Sequence, residues 1–347
     1  MPNLSDYLLP DGRYYFDNAA TTKMSKEALR VYNEASERWF MNPMSYKDFD
    51  PEIENLLTNA RNHVADFVGG DPYKDKVIFT SGATESINLL LKGYFFANLQ
   101  EKRKIITSPI EHKAVLETCK YLESIGAELE YVNITSEGVV DYDHLESIVD
   151  GDTLFVCLMH VNNETGEISD LERIYDIAHS AGSKFFTDTT QSITKLKVNA
   201  QYFDACVGSA HKFHGPKGVG FLLSKGDLNF SVIQHGGGQE GGLRAGTHNL
   251  PGIMSMIANL DCLADGDVTQ ALWKYITTTY FNQYERVGSL VSPYIGAFII
   301  DDPDEFERYN KTKIVYSNGS ACNGGLIYQS HVAKYLNLKK KLIRISL

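Results

Sequence analysis

Asp188 and Lys212 are the two side chains of this sequence whose settings most invite chemistry. Asp188 closes the apolar run Phe185-Phe186-Thr187 and so stands at the end of a short strand, where a carboxylate can hold a protonated ring nitrogen. Lys212 lies in Ser209-Ala210-His211-Lys212-Phe213-His214-Gly215-Pro216-Lys217-Gly218, directly after a short strand and before a glycine-rich turn. A lysine in a partly desolvated pocket loses basicity and becomes a Schiff-base amine. A third feature, Val77-Ile78-Phe79-Thr80-Ser81-Gly82-Ala83-Thr84-Glu85, is a strand followed by a small-residue turn that opens a helix. Free N–H groups and the positive dipole end suit an anion there, although Ser81 or Thr84 could equally serve as a plain helix cap. Cys322 is the fourth feature. It sits in Ser317-Asn318-Gly319-Ser320-Ala321-Cys322-Asn323-Gly324-Gly325, a run of turn formers that holds neither a core strand nor a helix. A thiol in such a place points to chemistry rather than packing.

The strand-end aspartate, the later lysine and the earlier anion cup, in that order, meet the minimal demands of pyridoxal 5'-phosphate: a pyridinium partner, a Schiff-base lysine and a phosphate seat. The dinucleotide glycine fingerprint and the GxxxxGK[ST] loop are both missing, so neither NAD nor ATP is favoured. His211 and His214 are three apart but lack an HExxH pattern or nearby cysteines, and no metal site is read from them.

The elements that must position these residues follow from hydrophobic spacing. Pro51, Ile53, Leu56, Leu57, Ala60, Val64 and Phe67 repeat at helical intervals, with Asp50 as N-cap and Gly69-Gly70 as the stop. Short apolar runs then alternate with helical stretches: 77–79 before 86–98, 105–107 before 113–125, 153–159 before 171–181, and then 184–187. Val219 to Leu223 is a further strand, and Gly236 to Gly242 marks a long functional loop or a crossing between lobes. This alternation predicts an α/β fold with a mainly parallel sheet covered on both faces, whose ligands bind beyond the carboxyl ends of the strands. From 264 to 310 few strong strand patterns occur, and the region reads as part of a smaller second lobe. The run Lys339 to Lys341 reads as a solvated face.

Composition agrees with a globular enzyme. The 347 residues include 43% hydrophobic and 22% charged residues, which excludes collagen-like, coiled-coil and mainly disordered chains. With Lys+Arg 33 against Asp+Glu 44, the net charge of -11 disfavours a polyphosphate-binding surface, so no nucleic acid partner is expected. No apolar stretch is long enough to span a membrane, and Met1 to Pro10 lacks the order of a secretory signal, so a cytoplasmic protein is expected. Cys119, Cys157, Cys206 and Cys262 read as small buried hydrophobes with reduced thiols.

The ordered motifs Tyr15-Phe16-Asp17-Asn18-Ala19-Ala20-Thr21-Thr22, Thr80 to Ser86, Glu111-His112-Lys113-Ala114-Val115 and His160-Val161-Asn162-Asn163-Glu164-Thr165-Gly166 add to the features above. The Asp188 and Lys212 segments, Gly236 to Thr247, the Cys322 loop and Ile343-Arg344-Ile345-Ser346-Leu347 complete the set. Together they resemble the cysteine desulfurases of the class V aminotransferase group, of the kind that feeds iron–sulfur cluster assembly. The resemblance implies pyridoxal-phosphate fold type I, with a large cofactor domain over 15–260 and a smaller lobe from 1–14 and 261–347 that carries the Cys322 loop. It implies that Lys212 forms the Schiff base, Asp188 holds the pyridinium, His112 stacks on the ring and assists proton transfer, and Gln191 contacts the ring hydroxyl. It further implies that Ala83, Thr84, Ser209 and His211 grip the phosphate together with Thr247 from a neighbouring subunit, making the active unit a homodimer. Asn163 and Arg344 would hold the carboxylate of L-cysteine, and Cys322 would take its sulfur as a persulfide, leaving alanine. The partner implied is a sulfur acceptor such as an iron–sulfur scaffold or a thiolation carrier.

The sequence departs from that pattern in three places. The connection from 260 to 317 is shorter than expected, the sequence ends at Leu347 without the helices that usually close the small domain, and Gly241 stands where arginine is common. Two other readings compete: a pyridoxal-phosphate lyase or transaminase acting on another small amino acid, and a non-catalytic scaffold.

Overall fold

The structure is a computed structural model that describes residues 4–44, 51–100, 102–260, 266–310, 312–317, 330–338 and 341–347. Cys262, the Cys322 loop and the expected N-cap Asp50 lie outside the described residues. In chain order the first elements are β1 (Tyr14–Tyr15), α1 (Lys26–Arg38), α2 (Pro51–Phe67), β2 (Lys76–Thr80), α3 (Ala83–Ala97), β3 (Lys104–Thr107) and α4 (Lys113–Ser124). Next come β4 (Glu128–Tyr131), α5 (Tyr142–Ile148), β5 (Thr153–Cys157), α6 (Leu171–Ser180), β6 (Lys184–Asp188), β7 (Ala205–Ser209) and β8 (Gly220–Ser224). The remainder are α7 (Leu250–Leu260), α8 (Gly266–Tyr280), β9 (Glu285–Arg286), β10 (Ile295–Ile300), α9 (Pro303–Asn310), β11 (Ile314–Val315), α10 (His331–Tyr335) and β12 (Lys341–Ser346).

Seven strands form the main sheet in the order β2-β8-β7-β6-β5-β3-β4, all parallel except β8, which runs against both its neighbours. The strands read as continuous apolar runs because both faces are covered. In β6, Phe185 enters the core shared with α2, α6 and α7, whereas Phe186 enters the core shared with α3 and α4. The same split separates Val156 from Phe155 and Phe221 from Leu222. Phe155, Phe185, Phe186 and Phe221 are fully buried, and each is worth roughly 2 to 3 kcal/mol of transfer free energy. On the α3 side, Tyr94 meets Phe186 edge to face at 5.1 Å. The alternation therefore gives the expected doubly covered sheet, with every parallel strand delivering its carboxyl end to one edge.

Local caps set where the helices begin. Ser25 accepts from the Ala28 amide at 2.9 Å to start α1, and Asp141 and Asp170 do the same for α5 and α6. Helix α2 is followed by Gly69, whose φ of +71° suits the turn that stops it.

A second sheet, β12-β10-β9, is antiparallel, with Ala297 opposite Arg344. Its core gathers Trp273, Ile276, Phe281, Phe298, Phe306, Ile343 and Ile345 around Phe16, which joins the N-terminal segment to this sheet. The expectation of few strands between 264 and 310 needs correction here. Ile295–Ile300 is a buried central strand, and its apolar run Ile-Gly-Ala-Phe-Ile-Ile signals a strand covered on both faces. Lys341 begins a strand, paired with Ile300, while Lys339 and Lys340 lie outside the described residues. No helix among the described residues is long and apolar enough to cross a membrane.

Candidate active site

The carboxyl ends of the parallel strands open into a cavity of about 500 Å³, within the size range of small-molecule sites. It is lined by Ala83, Thr84, His112, Asn163, Asp188, Gln191, Ser209, His211, Lys212 and Arg344. These are all but two of the side chains selected from the sequence. Cys322 lies outside the described residues, and Thr247 is exposed and does not line the cavity.

Each contributor is placed by the turn that follows its strand. Beyond β7, a short helical turn carries His211 and Lys212. The Lys212 Nζ donates to the carbonyls of Ala19 and Ala20, both at 2.7 Å. The Ala19–Thr22 segment is laced to this turn by Thr22, whose amide and Oγ1 donate to the His211 carbonyl and whose Oγ1 accepts from the His214 amide. Beyond β6, the Asp188 carboxylate accepts from the Thr190 amide at 2.9 Å, and Gln191 Nε2 donates to the same Ala19 carbonyl that Lys212 uses. The Thr190 Oγ1 and Gln191 Oε1 are buried and find no protein partner among the described residues. Such atoms await a polar ligand or water.

Beyond β2, Gly82 is the N-cap of α3 and supplies no side-chain cap. The first amides of a helix have no partner within it, so those of Ala83 and Thr84 stay free to meet an anion. Glycine is required at this position: its φ is +151°, and a Cβ would lie 3.3 Å from Ser209 Oγ. His211 extends this positive mouth while remaining neutral. Burial, aided by the charges of Lys212 and Lys217, pushes it down to about 4, and its Nδ1 faces Thr21 Oγ1 at 3.1 Å. His214 turns elsewhere, with Nδ1 3.0 Å from the Lys23 carbonyl.

Beyond β3, His112 is both a lining residue and the cap of α4, its Nδ1 accepting from the Ala114 amide at 3.1 Å. That bond assigns the ring proton of the neutral form to Nε2. Beyond β5, Asn162 accepts from the Glu164 and Thr165 amides and donates to the Ile110 carbonyl, fixing the turn on which Asn163 lies. Arg344 comes from the other sheet and is 1% exposed. It donates to the Asn163 carbonyl at 2.9 Å and to Asp17 Oδ1 at 2.6 Å.

Three neighbours had not been singled out from the sequence. Asp17 is the anion that holds Arg344. Glu111 is 1% exposed and accepts from Ser108 Oγ and the Met159 amide, while burial pushes it up to about 8. Lys195 follows Gln191 on the same turn, and its amine is buried. Asp17 and Glu111 stood inside quoted motifs, but nothing in the sequence separates Lys195 from the surface lysines around it.

Glu111 supports a pH prediction. Its folded-state pKa lies above the ordinary 4.5, so the fold binds a proton that the unfolded chain releases. Stability is fully present below about 4.5 and declines as pH rises to about 8, by on the order of 4 to 5 kcal/mol. Glu111→Gln keeps the neutral shape, so it should melt with the parent at pH 5 and clearly above it at pH 8.5. Parallel melting curves at both pH values would show no difference if Glu111 were already ionised in the fold.

With this geometry in hand, comparison with known proteins places the chain. Residues 14–298 match the aminotransferase class-V family, and the chain belongs to it. Among curated relatives, a cysteine desulfurase IscS of Dictyoglomus turgidum is 34% identical over 94% of this chain and 86% of its own length. Cysteine desulfurase 2 of Trichormus variabilis is 33% identical over 96% of this chain and 86% of its own. Among solved structures, a NifS-like protein superposes with a TM-score of 0.85 at 32% identity, covering 96% of this chain and 93% of that one. A second, described as SspA in complex with cysteine, reaches 0.86 at 33%, covering 96% and 98%. Within the class V group, the chain is therefore a member of the cysteine desulfurase branch, and its fold is the type I arrangement expected from its motifs.

Proposed function

We propose that this protein is a pyridoxal-phosphate-dependent cysteine desulfurase that converts L-cysteine to L-alanine and passes the sulfur through Cys322 to an acceptor protein. The observation that carries the reading is the convergence in one cavity of an amine, Lys212, a strand-end carboxylate, Asp188, and an uncapped helix N-terminus at Ala83–Thr84. The residues fit the cofactor. Ala83, Thr84, Ser209 and His211 would hold its phosphate, Asp188 its ring nitrogen and Gln191 its ring hydroxyl, while the unpartnered oxygens of Thr190 and Gln191 are the kind of atoms a polar ligand satisfies. When bound, pyridoxal phosphate supplies an electron sink for charge that develops at the α-carbon of an amino acid.

The chain's own groups do the rest. Arg344, already oriented by Asp17 and the Asn163 carbonyl, pairs with the substrate carboxylate, and Asn163 assists. Lys212 Nζ tethers the cofactor and, once released, accepts the α-proton as general base. The His112 ring would stack on the cofactor, and its Nε2–H would assist proton transfer. The Cys322 thiolate attacks the sulfur of the substrate: an S–S bond forms, the C–S bond breaks, and its electron pair remains with the substrate carbon, which takes a proton to become alanine. No external oxidant or reductant is needed. The exposed Thr247 supports a role toward a second copy of the chain, in a homodimer. The second sheet and its separate core support the division into a large domain over 15–260 and a smaller lobe from 1–14 and 261–347. We place the enzyme in the cytoplasm, with an iron–sulfur scaffold or thiolation carrier as acceptor.

Mass spectrometry after incubation of the pyridoxal-phosphate holoenzyme with L-cysteine tests this reading. One added sulfur atom on the Cys322 peptide, with alanine in solution, is expected. Alanine without sulfur on that peptide, or neither product, would count against it.

A further inference from the structure

The phosphate seat read at the start of α3 already holds a negative charge. Glu85 is the third residue of that helix and lines the cavity together with Ser81, Gly82, Ala83 and Thr84. Its Oε2 accepts from the Ser81 amide at 2.7 Å, so the carboxylate is turned back along the helix start. A carboxylate in the first turn suits the positive end of the helix dipole, and for the same reason it competes with any other anion there. A phosphate monoester carries about -1.5 to -2 at neutral pH, and like charges at one helix end disfavour each other. The free amides of Ala83 and Thr84 therefore serve a phosphate well only where the charge of Glu85 is answered.

Arg244 answers it from 159 residues away in sequence. Its Nε donates to Glu85 Oε1 at 2.6 Å and its Nη2 to Oε2 at 3.2 Å, a two-pronged pairing that matches the planar guanidinium fork. The two side chains are only 19% and 18% exposed, so salt and solvent screen the pair weakly. Burial opposes the charge of Glu85, yet the bonds from Arg244 and the Ser81 amide hold its carboxyl below the ordinary carboxylate range. The loop fixes where the guanidinium starts from. Gln234 bridges to Arg244 in parallel register, and its Nε2 donates to the Ala245 carbonyl at 2.7 Å. The Gly246 amide donates to Gln239 Oε1 at 3.0 Å. Glu240, the other carboxylate that acts on Arg244, is held by Arg61 at 2.9 Å. Arg244 is thus committed to the one carboxylate that stands in the anion seat.

We propose that Arg244 is a positioning residue that acts through Glu85: by cancelling the charge of that carboxylate and holding it beside the Ser81 amide, it keeps the N-terminus of α3 able to take the phosphate of the cofactor. The inference rests on the reading of that N-terminus as the phosphate seat. It gives the 236–247 loop a role in its own subunit's cavity, apart from that of Thr247 toward a second copy.

The test is cofactor affinity. The holoenzyme is stripped of pyridoxal phosphate and titrated back, with the rise of the visible band as the readout. Arg244→Met leaves Glu85 charged and unpaired and is expected to weaken pyridoxal phosphate by about tenfold or more. Glu85→Gln is neutral and still able to accept from the Ser81 amide, so it should bind the cofactor at least as tightly as the parent. The double variant, Glu85→Gln with Arg244→Met, should return to within about threefold of the parent. Pyridoxal, which lacks the phosphate, should bind Arg244→Met and the parent alike. A variant weakened only because its loop had come loose would not be rescued by a second change that also leaves the bridge unmade. An unchanged affinity in Arg244→Met, an equal loss in Glu85→Gln, no rescue in the double variant, or an equal loss for pyridoxal overturns the inference while the proposed function stands. A parent that forms no visible band with pyridoxal phosphate overturns both.

Discussion

Cys322→Ser is expected to abolish sulfur transfer while leaving cofactor binding intact. A hydroxyl cannot become a persulfide, and at neutral pH it is no nucleophile without a base to activate it. Alanine formation should fall by at least about a thousandfold, with no sulfur found on any peptide and with the visible band of the holoenzyme unchanged. The other described thiols offer no substitute. Cys119 and Cys206 are buried, and burial pushes both up to about 12, while Cys157 is raised well above the ordinary thiol range by the same cause. They remain protonated at neutral pH, and a protonated thiol does not attack. The experiment separates the desulfurase from a lyase or transaminase in which Cys322 is incidental. In that case the variant would keep the parent's turnover, and measuring alanine and protein-bound sulfur in the same reaction decides between them.

What the sequence made legible was set by periodicity and by strand ends. The apolar runs at Ile105, Thr153 and Lys184 read correctly as strands because a doubly covered parallel sheet writes its burial into nearly every residue. Asp188 and Lys212 could be chosen because each follows such a run directly. Less visible were elements whose burial depends on a distant partner. Glu128–Tyr131 is an edge strand with mostly polar residues, recognisable only through its pairing with β3. Lys26–Arg38 buries little more than Ala28 and Ala35, so its apolar stripe is too thin to announce a helix. The partner of Arg344 was hidden for another reason. Asp17 is 327 residues away in sequence, and the bridge between Asp17 and Ser346 is one of the contacts that bring the chain's first strand region beside its last. Roles read from the motif resemblance concern positions, and the cavity brings together those positions except Thr247, which is exposed, and Cys322, which lies outside the described residues. Lys195, whose environment is unusual but whose sequence context is ordinary, could emerge only from three-dimensional burial.

Lys212→Ala is expected to remove both the visible band and turnover. The two losses have one origin, because the same nitrogen would tether the cofactor and take the proton. Loss of a positioned general base alone costs about 10² to 10⁴ in rate, and loss of the tether adds to it. Folding should survive. The variant frees the Ala20 carbonyl, which lies at the cavity and can turn to water, while the Ala19 carbonyl keeps its bond from Gln191, and it relieves the repulsion between Lys212 and Lys195. Lys212→Arg should not rescue, since a guanidinium stays protonated and forms no imine under these conditions. Absorption spectra of the purified variants, with alanine assayed in parallel, check both halves of the expectation. Retention of more than about a tenth of the parent's rate in Lys212→Ala would place the essential base elsewhere, with the nearby Lys195 amine as the first group to examine. Combining Lys212→Ala with Lys195→Met would then show whether that residual rate comes from the second buried amine or from neither.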